Sequence, residues 1–151
     1  MAKKKKIAGN ITNRRARFDY ELGDSLIVGI ELNGAETKSL RMGHGNLRAS
    51  YVTTKDQELF LINAVINGTR SIHIPENEQS RPRKLLAKKK EILSLIDAKN
   101  NGRTIVPIEI LTKGRYIKLK IAIGKGRKKY DKRQVLKAKD ENRQIRRQLK
   151  N

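Results

Sequence analysis

The side chains of this sequence that could do chemistry are mainly lysines and arginines, and they are concentrated at the two ends of the chain. The segment Gly124 to Asn151 carries twelve Lys or Arg against three acids, a net charge of +9. Residues 1–17 carry seven bases and no acid, whereas residues 18–123 carry 17 bases and 12 acids. Because ammonium and guanidinium groups at this density bind phosphates, the total charge of +21 indicates a nucleic-acid partner.

Groups that could catalyse a reaction are scarce. The two histidines are His44, between two glycines, and His73, and the carboxylates show no D-x-D or E-x-x-H spacing that would pair metal ligands. There is no cysteine for a thiolate zinc site. The glycines of the segment Gly124 to Lys128 lack the spacing of a phosphate-binding loop, and we interpret them as a hinge. We therefore expect no enzymatic activity, no bound metal and no cofactor.

The sequence does not indicate a secreted or membrane protein. Lys3 to Lys6 is followed by no apolar core of signal-peptide length, and without cysteine there is no disulfide framework. The longest apolar-rich runs, such as Leu26 to Leu32, are too short to span a bilayer. The basic C-terminal tail also lacks the wide apolar face of an interfacial helix. We expect a soluble cytoplasmic protein that does not bind membranes.

The basic tail, residues 124–151, is predicted to change its structure on binding. In a helix, residues three or four positions apart would form a narrow seam walled by cations, made of Val135, Ala138, Asn142, Ile145 and Leu149. Like charges at neighbouring helical positions repel, so we expect the tail to be largely unfolded when free and helical when bound to a polyanion. A merely solubilising tail is the alternative.

The body, residues 11–123, has mainly strand character. Leu26 to Leu32 reads as a strand followed by a turn at Asn33-Gly34, and Ala35 to Met42 as a short helix. Leu47 to Thr54 and Glu58 to Asn67 read as a hairpin, and residues 68–80 as a loop. After Pro82, the apolar spacing of residues 83–98 predicts the main helix of the body.

The last two strands of the body have the clearest pattern. Tyr116 to Ile123 alternates between aliphatic and mostly basic positions, with Lys118 and Lys120 on the basic face, and its partner is Thr104 to Leu111. Pro107 removes a backbone donor and so belongs at an edge or a bulge. The predicted fold is mainly β with a few helices, a small closed antiparallel barrel of the oligonucleotide-binding type. It is flanked by a disordered basic N-terminal arm, residues 1–10, and by the tail. An open α+β sandwich is the alternative.

Six short motifs, in order along the chain, resemble the SsrA-binding protein (small protein B, SmpB) family. They are Asn13-Arg14-Arg15-Ala16-Arg17 with Asp19-Tyr20, then Gly34 to Arg41, Asn46-Leu47, Ser50-Tyr51-Val52, Arg81-Pro82-Arg83-Lys84-Leu85-Leu86 and Tyr130-Asp131-Lys132-Arg133. Any one of them would be weak evidence, because basic tripeptides are common. Their joint order from about Ile11 to the C-terminus makes coincidence improbable.

The resemblance implies an oligonucleotide-binding barrel that binds the tRNA-like domain of transfer-messenger RNA and brings it to ribosomes stalled on messages without a stop codon. No covalent step belongs to the protein, and we expect it to be a monomer. By match to the motifs and the strand pattern, the RNA-facing residues would be Asn13, Arg14, Arg17, Glu36, Lys38, Arg41, Leu86, Lys118 and Lys120. Leu86 could instead be helix core, and Glu36 could merely orient Arg41 or a neighbouring lysine.

For the tail, the resemblance implies a path along the empty messenger-RNA channel, past the decoding centre of the small ribosomal subunit. The contact residues would be Lys128, Lys129, Tyr130, Asp131, Lys132 and Arg133. Tyr130 would stack on a base, the cations would pair with phosphates, and Asp131 could cap the helix that follows.

Several positions depart from the family pattern. Many members have an acid ahead of an Ala-Gly pair, where this chain has Ile27-Val28-Gly29, so an RNA contact from that acid is not carried over. His44-Gly45, Ala87 and the segment Glu76 to Ser80 also differ. Two other function classes stay open from the sequence: a ribosomal or general RNA-binding protein with the same barrel, and an RNA-processing enzyme.

Overall fold

The computed structural model describes residues 9–150 of the chain. Residues 1–8, most of the predicted basic arm, lie outside the described residues. No helix between residues 9 and 150 is long and apolar enough to cross a bilayer.

The described part of the chain contains nine strands and five helices. The strands are β1 (Ile11–Thr12), β2 (Tyr20–Ile30), β3 (Gly45–Asn46), β4 (Tyr51–Lys55), β5 (Glu58–Ile62), β6 (Val65–Ile66), β7 (Arg83–Leu86), β8 (Thr104–Leu111) and β9 (Lys118–Gly126). The helices are α1 (Ala16–Asp19), α2 (Gly34–Arg41), α3 (Glu76–Gln79), α4 (Lys89–Asn100) and α5 (Lys129–Leu149). The predicted class, mainly β with a few helices, is confirmed.

Seven strands form one antiparallel sheet in the order β1-β8-β4-β5-β7-β2-β9. Strand β9 also pairs with β8, so the sheet returns on itself as a ring and β1 adds to the outer part of β8. The ring is uneven, because β2 and β9 pair over most of their length whereas β4 meets β8 at one residue pair, Val52 and Ile105. Strands β3 and β6 form a separate small pair.

The core lies inside the ring, and its buried side chains follow the two-residue period of the strands. Leu59 and Leu61 on β5, Leu85 on β7 and Leu119 on β9 are buried, while their neighbours in sequence face outward or are half-buried. Aliphatic side chains from every strand of the ring therefore meet in one cluster. Shortening one of these leucines to alanine costs about 2–5 kcal/mol in proteins generally.

The predicted hairpin is confirmed only around its turn. β4 begins at Tyr51, four residues later than predicted, and the predicted strand Glu58 to Asn67 is divided into β5 and β6, of which β6 pairs with β3 instead of β4. Asp56 and Gln57 connect β4 to β5 with φ angles of 51° and 60°, the positive values of a two-residue turn that matches strand twist.

The final strand pair is confirmed, with β9 shifted to Lys118–Gly126. β8 has the predicted bounds, and its register with β9 shifts between Pro107 and Glu109. The proline thus lies at a bulge, where the missing donor is tolerated.

The helix predicted over residues 83–98 is wrong in its first part. Arg83–Leu86 is strand β7, which pairs with β5 on one side and β2 on the other, and the helix α4 begins at Lys89. The period of Leu85, Leu86 and the later apolar residues fits a helix locally, but backbone pairing in the ring overrides that preference. At the start of α4 the Glu91 carboxylate accepts the Lys88 amide at 2.9 Å.

Two predicted roles of glycine-containing segments are also corrected. Asn33-Gly34 does not form a tight turn: Asn33 is the N-cap of α2, and its Oδ1 accepts the Glu36 amide at 2.9 Å. Gly124 is no hinge, because it lies in β9, and a Cβ there would come within 3.1 Å of Tyr20 Cβ and 3.3 Å of Val106 Cγ2. Its lack of a side chain allows two neighbouring strands to pack closely.

The tail differs from the disordered segment predicted from its charge. Strand β9 continues to Gly126, three residues into the predicted tail, and Lys129–Leu149 is one helix with no buried residue. The helical form matches the structure predicted for the bound state, and the absence of burial gives it little support from the body. That it unfolds when free stays a prediction.

Candidate nucleic-acid interface

One outward face of the ring combines apolar and cationic side chains. Leu86 on β7 lies opposite Gly29 on β2, which lies opposite Lys118 on β9. One step along, Ile27 lies opposite Lys120. Leu86 and Ile27 are each 53 % exposed. Leu86 is therefore on a strand and open to solvent, so the alternative interpretation as helix core is wrong.

Glu36 is not on the surface, which contradicts its predicted place among RNA-facing residues. It is 1 % exposed, and its two carboxylate oxygens accept hydrogen bonds from Arg81 and Arg83 as ion pairs. The same carboxylate accepts the Asn33 amide at 3.2 Å, completing a capping box at the start of α2. Glu36 therefore links α2 to the segment before β7, and its partners are not Arg41 or a lysine.

Arg83, at the start of β7, is fully buried and uses its whole guanidinium group. Besides Glu36, it donates to the carbonyl oxygens of Ala64 at 2.8 Å and Gln79 at 2.9 Å, with longer bonds to Arg81 and Glu78. A buried arginine is tolerated only when its charge and donors are satisfied in this way. The residue thus fastens the irregular segment before β7 to the ring.

Burial and ion pairing have opposite effects on the pKa values of Glu36 and Arg83. Burial alone would raise the pKa of the Glu36 carboxyl, but hydrogen bonds from Arg81 and Arg83 outweigh it and hold that pKa below its ordinary value. Burial lowers the pKa of Arg83, and the carboxylate of Glu36 opposes that effect. At neutral pH the pair is an ion pair, and it points inward rather than toward a ligand.

Arg41, at the end of α2, is also engaged with the body. Its Nη1 donates to the carbonyl oxygens of Thr112 at 2.9 Å and Gly114 at 3.0 Å, and its Nη2 donates to that of Arg115 at 3.0 Å. Arg41 thereby fixes the loop between β8 and β9, which leads into Lys118. Lys38, one turn earlier on α2, is exposed.

The first basic motif surrounds the short helix α1. Arg14 and Arg17 are exposed, whereas Asn13 is half-buried and its Nδ2 donates to the Pro107 carbonyl at 2.9 Å. Its backbone amide donates to the Ile108 carbonyl at 2.7 Å. Asn13 therefore ties α1 to the bulge in β8 and so positions the two arginines.

An open groove of about 400 Å³ lies where α1, β4 and β8 approach one another. Its lining combines Arg15, Tyr20 and Tyr51 with Lys99 and Arg103 from the end of α4 and the loop after it. Exposed cations beside tyrosine rings form a surface of the kind that binds unpaired nucleotides. Sequence reasoning missed Lys99 and Arg103, since nothing in their local pattern distinguishes them from other surface cations.

The beginning of α5 is attached to the body at Phe18 and Asp19. Lys132 Nζ lies 3.2 Å from Asp19 Oδ1 and 5.8 Å from the centre of the Phe18 ring. Arg15 contacts the same two residues, 3.5 Å from the carboxylate and 4.8 Å from the ring. The amide of Arg127 donates to the Asp19 carbonyl at 2.9 Å. Phe18, another residue that the sequence did not single out, thus has two cations within 6 Å of its ring.

The other tail residues predicted to contact the ribosome lie in the first turns of α5 and face solvent. Tyr130 is 70 % exposed, and Lys128, Lys129 and Arg133 are exposed as well. Asp131 does not cap the helix through its side chain. Lys128 is the N-cap residue, and no side-chain hydrogen bond caps this end of α5. In the first turn the carboxylate can still interact favourably with the helix dipole.

The predicted site residues thus fall into three groups. Leu86, Lys118 and Lys120 come together on the outward sheet face with Ile27. Arg14 and Arg17, at α1, and Lys38, on α2, are exposed, whereas Asn13, Glu36 and Arg41 are bound within the body. The tail residues form the exposed start of α5. These groups surround the ring and do not converge on one pocket, an arrangement suited to an extended polyanion.

Comparison with known proteins places this architecture in one family. A protein-family model described as "SmpB protein" matches residues 10–151. The chain is 42 % identical to the SsrA-binding protein of Oenococcus oeni (strain ATCC BAA-331 / PSU-1), over 100 % of this chain and 99 % of the relative. It is 41 % identical to that of Staphylococcus aureus (strain Newman), over 99 % and 98 %.

A relative from Prochlorococcus marinus (strain MIT 9515), also an SsrA-binding protein, is 44 % identical over 91 % of this chain and 85 % of its own length. Among solved structures, a chain from work described as "tmRNA-SmpB: a journey to the center of the bacterial ribosome" superposes with a TM-score of 0.67. It is 35 % identical, and the match covers 81 % of this chain and 87 % of that one.

Proposed function

This chain belongs to the SmpB family, and on that premise we propose that it binds the tRNA-like domain of transfer-messenger RNA and delivers it to stalled ribosomes. Its relatives are named SsrA-binding proteins, and the similar solved chain comes from work on tmRNA-SmpB and the bacterial ribosome. The observation that carries the proposal is the division of the molecule into a folded ring and a basic helix, α5, with no buried residue. One part is built to recognise a shape and the other to enter an anionic passage.

The ring is the part that recognises the folded RNA. We propose that it acts as a barrel of the oligonucleotide-binding type, whose outer face and flanking helices contact phosphates, ribose hydroxyls and unstacked bases. The contacting side chains would be Arg14, Arg17, Lys38, Leu86, Lys118 and Lys120, with Asn13 and Arg41 holding their surroundings in place. Glu36 takes no direct part, since it is buried; it positions the segment that leads to Leu86.

The tail is the part that reads the state of the ribosome. We propose that α5 lies in the empty messenger-RNA channel, with Tyr130 stacked on a base of the decoding centre and Lys128, Lys129 and Arg133 paired with phosphates. Lys132 and Asp131 lie in the same turn and would complete this contact. Lys132 would first have to leave Asp19, to which it is paired here.

The proposed role is that of a monomeric RNA-binding adaptor without a covalent step of its own. Template switching on a stalled ribosome uses the aminoacylated RNA and the ribosome, so the protein needs affinity and shape but no catalytic group. Because stalled bacterial ribosomes are in the cytoplasm, we propose that the protein works there.

The experiment that tests this proposal is competition binding. A transcript of the tRNA-like domain of transfer-messenger RNA should bind at least about 10³-fold more tightly than ordinary tRNA or an unrelated hairpin, since specific nucleic-acid complexes are typically about 10³–10⁷ tighter than non-specific ones. If about eight phosphates are neutralised, affinity should fall on the order of a thousandfold or more between about 50 and 200 mM salt. Equal affinity for all three RNAs would instead identify a general structured-RNA-binding protein.

A further inference from the structure

The helix α5 contacts the body along one side of its first turns. Within residues 129–149, Lys132 and Val135 are half-buried and every other residue is exposed. These two positions are three apart, so they lie on the same side of the helix. Val135 borders an open groove of about 640 Å³. Lys132 forms the one ion pair that joins α5 to the rest of residues 9–150, so its side chain makes the main polar contact between tail and body.

Lys132 is bound at Phe18 and Asp19, the last two residues of α1, which we call the cation dock. Both Lys132 Nζ and Arg15 Nη2 approach Asp19 Oδ1, at 3.2 and 3.5 Å. Both cations also lie within 6 Å of the centre of the Phe18 ring, a distance at which the ring attracts a positive charge. Because two like charges share one carboxylate oxygen, they repel each other. The dock therefore holds Lys132 weakly, and another anion can compete for it.

The cation dock lies where the tail leaves the ring. Gly126 makes the last backbone pair of β9 with β2, opposite Tyr20, and the next amide, that of Arg127, donates to the Asp19 carbonyl at 2.9 Å. Asp19 thus fixes the origin of the tail through its backbone and the first turn of α5 through its side chain. Since these two contacts are made by different atoms, release of Lys132 lets α5 change direction without disturbing β9.

We propose that the cation dock is an autoinhibitory latch, which withholds Lys132 from phosphates and keeps α5 beside the body until an anionic partner displaces it. This inference rests on the proposed function and adds a regulation of the tail. A partly exposed ion pair shifts an equilibrium by at most about fivefold. The latch lowers the affinity of any polyanion that needs Lys132 by that factor, because only the undocked fraction of the protein can bind it.

A latch of this strength suits a strongly cationic tail. A stray single-stranded RNA pairs with few tail cations and binds weakly, so a fivefold loss of affinity removes much of its binding. An anionic channel of the ribosome pairs with many cations at once, and the loss of one exposed ion pair is small against that total. The latch therefore reduces binding to stray RNA while the ribosome still opens it.

The test measures the affinity of the full-length protein for a labelled oligouridylate by fluorescence anisotropy. Asp19→Asn removes the carboxylate of the cation dock and should raise this affinity. Asp24→Asn is the matched control, because it makes the same change of charge at an exposed position of β2. The gain from Asp19→Asn should exceed that from Asp24→Asn by about two- to fivefold, the effect of one partly exposed ion pair. Urea unfolding should show that all variants are folded.

A double-substitution cycle tests whether Lys132 is the docked group. In a chain with Lys132→Gln there is no ammonium to release, so Asp19→Asn and Asp24→Asn should then raise the affinity equally. Equal gains without Lys132→Gln, or a larger gain from Asp19→Asn that persists with it, would overturn the latch. Affinity for the tRNA-like domain, measured on the same proteins, separates the two ideas. A wild type that does not prefer that RNA over ordinary tRNA contradicts the proposed function, whatever the difference between the two Asn variants.

Discussion

At the scale of single residues, the main surprise is the role of the acid in the motif Gly34 to Arg41. From the sequence, Glu36 resembles a family residue that faces RNA, yet it is buried against Arg81 and the fully buried Arg83. These partners are more than 40 positions away, so no local pattern could reveal the contact. What the sequence does show is the capping signal, an Asn three residues before Glu at the start of α2.

Removing the charge of Glu36 should destabilise the fold strongly. Glu36→Gln keeps the size of the side chain but leaves the buried Arg83 guanidinium without its counter-charge, a change that costs about 3–5 kcal/mol in proteins generally. Urea unfolding at pH 7 measures the loss. Glu58→Gln, which removes an exposed partner of Lys84, is the control and should barely move the midpoint.

The same pair should make stability depend on pH in the acid range. The folded pKa of Glu36 lies below its ordinary value of about 4.3, so its contribution is fully present above that pH and is lost as pH falls through the folded pKa. Wild type and Glu36→Gln should therefore converge in stability as pH is lowered below about 4. A constant difference between them down to pH 2 would show that the ion pair is not the source of the effect.

At the scale of elements, residue periodicity predicts a strand or helix whose pattern lies in one continuous stretch. It fails where pairing with distant strands decides the local structure. Tyr116 to Ile123 alternates clearly, and its last six residues lie in β9; its predicted partner, Thr104 to Leu111, is β8, with Pro107 at a bulge. Arg83–Leu86 has no such alternation and is a strand because β5 and β2 flank it. On the outward face, Lys118 and Lys120 could be predicted from the strand pattern, but their position beside Leu86 could not.

The side-chain attachment of α5 to the body should be weak, and one substitution should loosen it. Asp19→Asn removes the carboxylate that pairs with Lys132 while keeping the backbone contact to Arg127. A partly exposed ion pair contributes up to about 1 kcal/mol, so amide hydrogen exchange in the first turns of α5 should speed up severalfold. Asp24→Asn, at an exposed position of β2, is the control. Unchanged exchange in Asp19→Asn would mean that α5 is not held through this contact.

At the scale of the whole molecule, charge and burial divide the protein between two tasks. Residues 18–123 hold 17 bases and 12 acids around one apolar core, whereas the tail holds a net charge of +9 and buries nothing within α5. We therefore expect the body to be stable without its ligand and the tail to gain most of its interactions from an anionic partner. The sequence predicts this division from composition alone. The boundary between body and tail lies three residues later than predicted, because β9 continues to Gly126.

The most direct measurement removes residues 128–151 and compares two activities of the same protein. Since no residue of α5 is buried, the truncated chain loses no core contact, and circular dichroism should confirm that the ring is folded. Affinity for the tRNA-like domain should stay within about threefold of the full chain, because the contacts assigned to it lie on the ring. Peptide tagging in a translation reaction stalled on a message without a stop codon should be abolished. Loss of both activities together, or tagging at the full rate, would contradict the account.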